Sequence, residues 1–130
     1  MKVVLIGAAV ILIAFLIALH YIPQDNEPLT ELYFTNHTSL PSEAEVNSTY
    51  DFAFTIHNLE YQTMTYQYSI VVDYNDTERV LGVNNVTLED NASVSVPEKF
   101  WIMDDFTRAK VSVVLSSNES IDFWVTKRIV

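Results

Sequence analysis

The sequence predicts a mainly β protein in which two antiparallel sheets pack face to face, placed after one N-terminal transmembrane helix. Two observations carry this prediction. Residues 3–19 form an unbroken apolar run that continues without a charge to residue 22, and the remainder of the 130-residue chain alternates apolar and polar residues in short segments separated by turn signals. Alternation with a period of two indicates strands that bury one face and expose the other. No second stretch of helical periodicity of any length follows the first.

The first segment, residues 1–23, has the length and composition of a transmembrane signal anchor. After Lys2, 20 residues without a charge would span about 30 Å as a helix, which matches the hydrocarbon core of a bilayer. Tyr21 suits the membrane interface, and Pro23 ends the helix. A cleaved secretory signal is the main alternative, but no small-x-small cleavage site follows the run. A helix buried within a soluble protein is the third interpretation, but the run lacks the polar face that such a helix would present to water.

The flanking charges predict how the anchor is oriented. Lys2 lies before the helix, whereas Asp25 and Glu27 follow it. Positive residues stay on the cytoplasmic side, so we expect a cytoplasmic N-terminus and residues 24–130 outside the membrane. Residues 24–29 form a polar linker, and residues 30–130 suffice for one domain with one core.

A high number of glycosylation triplets agrees with an exported domain. Six of the nine asparagines begin an Asn-x-Ser/Thr triplet, although these residue types also crowd into turns. N-linked glycans would require an extracytoplasmic location. The candidate sites are Asn36, Asn47, Asn75, Asn85, Asn91 and Asn118.

Composition excludes some partners and indicates a source. Without Lys2, six basic residues face 17 acidic ones, a formal charge of −11 that repels nucleic acid and anionic lipid. The chain has no cysteine, whereas small secreted animal domains usually carry disulfides. A disulfide-free ectodomain rich in glycosylation triplets is more typical of an archaeal cell surface.

The strands follow in order along the exported part. Clear alternation predicts strands at residues 30–36, 50–58, 63–74, 109–116 and 120–127. Weaker segments at 79–83 and 86–88 surround Gly82, and segments at 92–96 and 100–103 flank Pro97, which indicates an edge or a break. Seven to eight short strands with one wet face each predict an immunoglobulin-like antiparallel β-sandwich.

Motifs for catalysis are missing from the sequence, so we expect no enzyme and no cofactor. There is no Gly-x-Ser-x-Gly, no glycine-rich phosphate loop and no His-Glu-x-x-His. The three histidines are scattered, so a zinc site is not expected. The acidic pairs Glu89-Asp90 and Asp104-Asp105 and the acidic run at residues 73–78 could supply oxygen ligands to calcium. The run lacks the glycine and the spacing of an EF-hand loop, and solvated turn carboxylates explain all of these residues as well.

Two tryptophans are candidate partner contacts. Trp124 shares a strand face with polar Asp122 and Thr126, so we expect it to be exposed. Trp101 is the second candidate, and aromatic residues of this kind can also bind sugars or simply form core and cross-strand pairs.

Two segments carry a family resemblance. The first is residues 29–34 (LTELYF); the second is residues 54–60 (FTIHNLE) followed by residues 64–68 (MTYQY). Over residues 29–72 this pattern resembles archaeal DUF1616-type membrane proteins. The resemblance implies an immunoglobulin-like exported domain with no catalytic residues. Asn58 and Glu60, within the second segment, are expected to hold a tight turn through side-chain hydrogen bonds to the backbone.

Together these features predict a non-enzymatic, membrane-anchored surface domain that acts as an interaction or accessory subunit of the archaeal envelope. Its partners would be other envelope proteins or a second copy of itself. One alternative is a structural subunit of a surface filament or lattice that assembles through edge strands. A second alternative is a calcium- or sugar-binding module.

Overall fold

The computed structural model describes residues 27–129, which form eight strands and one short 3-10 helix. Their alternating sequences and turn residues produce strands that pair mostly antiparallel. The strands are β1 (Leu29–Phe34), β2 (Glu43–Ala44), β3 (Thr49–Leu59), β4 (Met64–Tyr74), β5 (Thr77–Leu88), β6 (Ser93–Trp101), β7 (Arg108–Leu115) and β8 (Ser120–Lys127), and the 3-10 turn is His37–Ser39.

The strands form two sheets. One has three strands in the order β1-β3-β6, and the other has five in the order β2-β8-β7-β4-β5. All pairings are antiparallel except that of β2 with β8, which is parallel over two residues. The described part of the chain is therefore mainly β and built of two sheets, as the sequence predicts.

Predicted strand faces agree with the observed burial. On β3, Phe52, Phe54 and Ile56 point into the core, and on β4 every second residue from Tyr66 to Tyr74 is buried. The predicted bounds of β8, residues 120–127, match the structure at both ends. Alternation located these strands because each buries only one face.

Neither of the two predicted interruptions breaks a strand, although the edge position expected at Pro97 is confirmed. The segments predicted around Gly82 belong to one continuous strand, β5, whose pairing with β4 shifts between Ile70 and Val71. The long β4 template accommodates the Asn84-Asn85 pair that reads locally as a turn. Pro97 lies inside the continuous strand β6, opposite Ala53, because an edge strand can lack one outward N–H group.

The core lies between the sheets and is rich in aromatic rings. The Phe123 ring of β8 packs edge-on against Phe34, Phe52 and Phe100 of the three-stranded sheet, at centroid distances of 5.3, 5.6 and 5.6 Å. Such edge-to-face pairs add to the free energy gained by burying the rings. This cluster joins the two sheets.

The predicted anchor, residues 1–23, and residues 24–26 of the predicted linker lie outside the described residues. Among residues 27–129, no helix is long and apolar enough to cross a membrane.

Candidate interaction surfaces

The six glycosylation asparagines all lie on the surface. Most occupy turns, whereas Asn85 lies within β5. Four of them have a left-handed backbone, with φ of 65° at Asn47, 54° at Asn75, 64° at Asn91 and 81° at Asn118. Asparagine tolerates this conformation better than most residues, so turn geometry is a second reason for its presence at these positions.

The side-chain amides of these asparagines differ in their bonding. Asn75 donates from Nδ2 to the backbone oxygen of Asp105 at 2.8 Å. In contrast, Asn36 accepts a bond at Oδ1 from the hydroxyl of Thr38, the third residue of its own triplet, at 2.9 Å. The Asn91 Oδ1 lies 3.2 Å from the His57 ring nitrogen Nε2. The amide nitrogen that would carry a glycan is thus engaged at Asn75.

Asn58 is fully buried and joins three segments at one end of the sandwich. Its Nδ2 donates to the backbone oxygens of Gln62, Leu88 and Glu89 at 2.8, 3.0 and 3.1 Å. Its Oδ1 accepts from the backbone N–H of Glu60 at 2.9 Å. One side chain therefore satisfies backbone groups of the β3–β4 turn and of the end of β5.

The Glu60 side chain has a different role from the one expected. Its Oε1 accepts a hydrogen bond from Thr30 Oγ1 at 3.0 Å, and the same Thr30 oxygen lies 2.8 Å from the buried Tyr66 hydroxyl. Glu60 thus takes part in the turn through its backbone N–H, while its carboxylate links the turn to β1. The sequence located both turn residues but not the contact with Thr30.

The two candidate tryptophans lie in different surroundings. Trp124 is 47% exposed on the outer face of the five-stranded sheet, and the Arg108 guanidinium stacks on its ring at 4.1 Å. Trp101 ends β6 and is half-buried. It lines a surface groove of about 430 Å³ between β5 and β6, with Ile70, Leu81 and Gly82 on the opposite wall. The structure does not bring the two rings together into one platform.

A patch of four valines lies on the outer face of the five-stranded sheet, next to its β5 edge. Val71 of β4 pairs directly with Val80 of β5. Two residues earlier on β4, Ser69 lies between its cross-strand partners Val83 of β5 and Val114 of β7. Val80, Val83 and Val114 are 61%, 54% and 38% exposed. We call these residues the valine patch. Sequence analysis missed it because β5 was read as two short segments, which hid the alignment of its outward side chains.

Charge is distributed unevenly between the two ends of the sandwich. We call the end at which β1 begins the linker end. The six Lys and Arg residues of the described chain lie in the opposite half, most of them within ion pairs such as Arg79–Asp104 at 3.2 Å. At the linker end the charged side chains are all carboxylates: Glu27, Glu31, Glu60, Glu89, Asp90 and Glu119.

Acidic residues considered as calcium ligands are engaged in other contacts or dispersed. Asp104 accepts a hydrogen bond from the Tyr74 hydroxyl at 2.9 Å and pairs with Arg79, and the Lys127 ammonium bonds to Asp105 and lowers the pKa of its carboxyl. Between residues 27 and 129 no three ligating side chains are grouped closely enough to hold a metal ion.

The buried tyrosines of β4 have perturbed pKa values. Burial, reinforced by the hydrogen bond to Glu98, raises the pKa of Tyr68 to about 12. Burial also raises the pKa of Tyr66 and of Tyr74. Since deprotonation would place a charge in the core, these hydroxyls remain neutral donors at physiological pH.

Comparison with known proteins shows likeness in fold alone. No protein-family model and no curated protein sequence matches the chain. A β-glucosidase from Listeria innocua matches over 77% of this chain at 15% identity and a TM-score of 0.63, but the match spans only 16% of that enzyme. An alkylpurine DNA glycosylase from Pseudomonas fluorescens matches over 75% of this chain and 30% of its own at 14% identity, with a TM-score of 0.57.

One similar structure has about the size of this domain. The CARDB domain of a Pyrococcus furiosus protein, solved in complex with di-metal ions, matches over 80% of this chain and 96% of its own, at 11% identity and a TM-score of 0.59. The three proteins are a glycosidase, a DNA glycosylase and a domain solved with bound metal ions. The shared two-sheet architecture therefore does not indicate one activity.

Proposed function

We propose that this chain is a non-enzymatic, membrane-anchored surface domain, an immunoglobulin-like sandwich that serves as an interaction or accessory subunit of an archaeal envelope. The observation that carries the proposal is the exposure of all six glycosylation asparagines on a domain that follows a 20-residue uncharged, predominantly apolar segment. Glycosylation and a retained anchor both require export, so the two features support the same location.

The composition of the domain supports a role in binding rather than in catalysis. Its exposed residues include the valine patch and Trp124, which are typical of contact surfaces in an otherwise charged protein. Metal binding forms no part of the proposal, since Asp104 and Asp105 engage Tyr74, Arg79 and Lys127, and the other acidic residues of the described chain are dispersed.

Fractionation of cells that express the full-length chain tests the location. We expect the chain to remain in the membrane pellet after extraction with alkaline carbonate, and residues 24–130 to be cleaved by a protease added outside intact cells. Ile11→Arg, which places a charge in the apolar run, should reduce membrane retention several-fold. Recovery of a soluble protein that begins after residue 20 would contradict the anchor.

A second candidate function, a structural subunit that assembles through an edge strand, is favoured by β5. This 12-residue strand forms one edge of the five-stranded sheet, and its outer face carries exposed valines. A long edge strand that is not protected by charged residues, proline or a covering segment is a template for pairing with another chain.

A further inference from the structure

The unpaired edge of β5 is long enough to form a stable contact. The strand runs from Thr77 to Leu88 and pairs on one side with β4, whereas no strand of residues 27–129 pairs with its other side. Twelve residues extend about 40 Å. The other edge of the same sheet, β2, has only two residues. Because β2 covers only Thr126 and Lys127 of β8, part of β8 is also without a partner on that side, but β5 is the longest unpaired strand edge of this sheet among the described residues.

The charge pattern indicates what can approach this edge. The chain carries a net charge of −10, so two copies repel each other over most of their surfaces. Residues 80–88, VLGVNNVTL, contain no charged side chain. A second copy that lies antiparallel along this segment meets no like charge within residues 80–88, and the flanking charged residues, Glu78, Arg79, Glu89 and Asp90, lie at the two ends of the seam.

The valine patch adds apolar contact area at the same edge. Val80 and Val83 lie on the edge strand itself, and Val71 lies one strand further in. A two-fold axis perpendicular to the sheet would bring the patches of both copies together on one face of a continuous ten-stranded sheet. Self-complementary contacts of this kind are the commonest symmetry of soluble oligomers.

We propose that β5 pairs antiparallel with β5 of a second copy of this chain, with the two-fold axis within residues 82–86. Because Asn85 lies in this segment, the pairing requires that this one of the six candidate asparagines carries no glycan. The inference rests on the proposed function only in that a membrane tether concentrates the copies; the pairing itself requires no anchor. Main-chain hydrogen bonds provide the affinity, and the uncharged segment sets the register.

Single cysteines test the pairing directly, because the chain has none of its own. Each of residues 82–86 is replaced by cysteine in the full-length chain, which is oxidised in native membranes and analysed on a non-reducing gel. At a two-fold axis a residue lies opposite its own copy, so one of the five positions should give a dimer band at least several-fold above its neighbours. Tyr33→Cys on β1 and Met103→Cys, at positions 46% and 65% exposed, are the matched controls and should remain at background.

A second set of variants tests the role of the uncharged segment. In the best-crosslinking cysteine background, Val80→Glu should reduce the dimer band about tenfold because it places an unpaired charge in the apolar part of the seam, whereas Val80→Thr should retain the band. Val80 is 61% exposed, so neither change disturbs the core. Tyr33→Glu, on a strand of the other sheet, should leave the dimer unchanged.

Three results would overturn the proposal. These are equal crosslinking at β5 and control positions, no dimer at any of residues 82–86, and full crosslinking of the Val80→Glu variant.

The same samples are also separated into membrane and soluble fractions, so that failure of the anchor and failure of the pairing can be distinguished. A chain that crosslinks at β5 but leaves the membrane pellet contradicts the anchor alone, whereas a chain that stays in the pellet without crosslinking contradicts the pairing alone.

Discussion

The buried hydroxyl of Tyr68 on β4 donates a 2.8 Å hydrogen bond to Glu98 on β6 and so links the two sheets across the core. Tyr68 belongs to the five-stranded sheet and Glu98 to the three-stranded sheet. The partner is a carboxylate, so the bond requires the phenol to keep its proton. The stability of the sandwich therefore depends on the protonation of Tyr68.

We expect the free energy of unfolding to fall as the pH rises from about 10 to about 12. In the unfolded chain a tyrosine titrates near pH 10, whereas burial first, and the bond to Glu98 second, raise the pKa of Tyr68 to about 12. In this window the folded state holds a proton that the unfolded state has released, so stability is lost at about 1.4 kcal/mol per pH unit for this group.

Urea denaturation at a series of pH values measures this slope. Tyr68→Phe should be less stable than the parent at pH 8, and its stability should fall less steeply above pH 10. Tyr66 and Tyr74, whose pKa values are also raised, keep part of the slope in that variant. Tyr33→Phe, at an exposed position, controls for the loss of a hydroxyl group. An unchanged slope in Tyr68→Phe would contradict this account.

Replacement of Asn58 should cause a large loss of stability. Asn58→Ala would leave the backbone oxygens of Gln62, Leu88 and Glu89 without their common donor in a buried site. Each unsatisfied buried group costs about 1–3 kcal/mol, so we expect a total loss of about 3–4 kcal/mol after partial relaxation.

Asn58→Asp provides the sharper comparison. It keeps the shape and the acceptor for the Glu60 N–H but removes the donors, so it should be as destabilising as Asn58→Ala at neutral pH. Asn36→Ala, at an exposed position, is the control and should change the free energy of unfolding by less than about 1 kcal/mol. A small effect of both Asn58 variants would contradict a structural role.

The sequence predicted the strands wherever one face is buried and the other wet. The alternation of β3, β4 and β8 is set by their own side chains, so it could be recognised without knowing their neighbours. The full length of β5 could not be recognised in this way, because Gly82 and the Asn84-Asn85 pair have weak strand propensity and are held in the sheet by pairing with β4. β2 also escaped prediction, since its two residues are a strand only through pairing with β8.

Candidate sites show the same division between local and long-range information. Asn58 could be identified as a turn residue because it precedes a polar segment, but its bonds to Leu88 and Glu89 join residues about 30 positions apart. The exposure of Trp124 followed from the alternation of β8 alone. The valine patch depends on the register of three strands, which no local pattern specifies.

Trp124 should be the tryptophan that is accessible to an aqueous quencher. It is 47% exposed beside Arg108, whereas Trp101 is half-buried in the groove between β5 and β6. Because the guanidinium gives the ring a positive neighbour, iodide should quench Trp124 more strongly than caesium does. We expect Trp101→Phe to retain most of the iodide quenching and Trp124→Phe to lose most of it.

Arg108→Gln separates charge from exposure. It should reduce the difference between iodide and caesium while leaving quenching by neutral acrylamide nearly unchanged. Its stability should fall by less than about 1 kcal/mol, since the stacked pair lies on the surface. Equal quenching of the two tryptophans would show that the Trp101 wall of the groove is open to solvent.

Glycan occupancy should be lower at Asn75 than at Asn118. Both residues lie in exposed turns with a left-handed backbone, and both begin a triplet. They differ in the amide nitrogen, which at Asn75 donates to the Asp105 oxygen at 2.8 Å. Modification of the folded chain at Asn75 must first break that bond and open the contact between the β4–β5 turn and the β6–β7 loop.

Removal of the hydroxyl residue of each triplet gives a matched pair of variants that leaves both turn asparagines in place. In chains purified from native membranes, Ser120→Ala should shift the gel mobility by one glycan, and Thr77→Ala should shift it several-fold less. Site-resolved mass spectrometry then measures occupancy at each asparagine. Equal occupancy at the two sites would mean that the transferase acts before the Asn75–Asp105 bond forms, that is, before this end of the sandwich is folded.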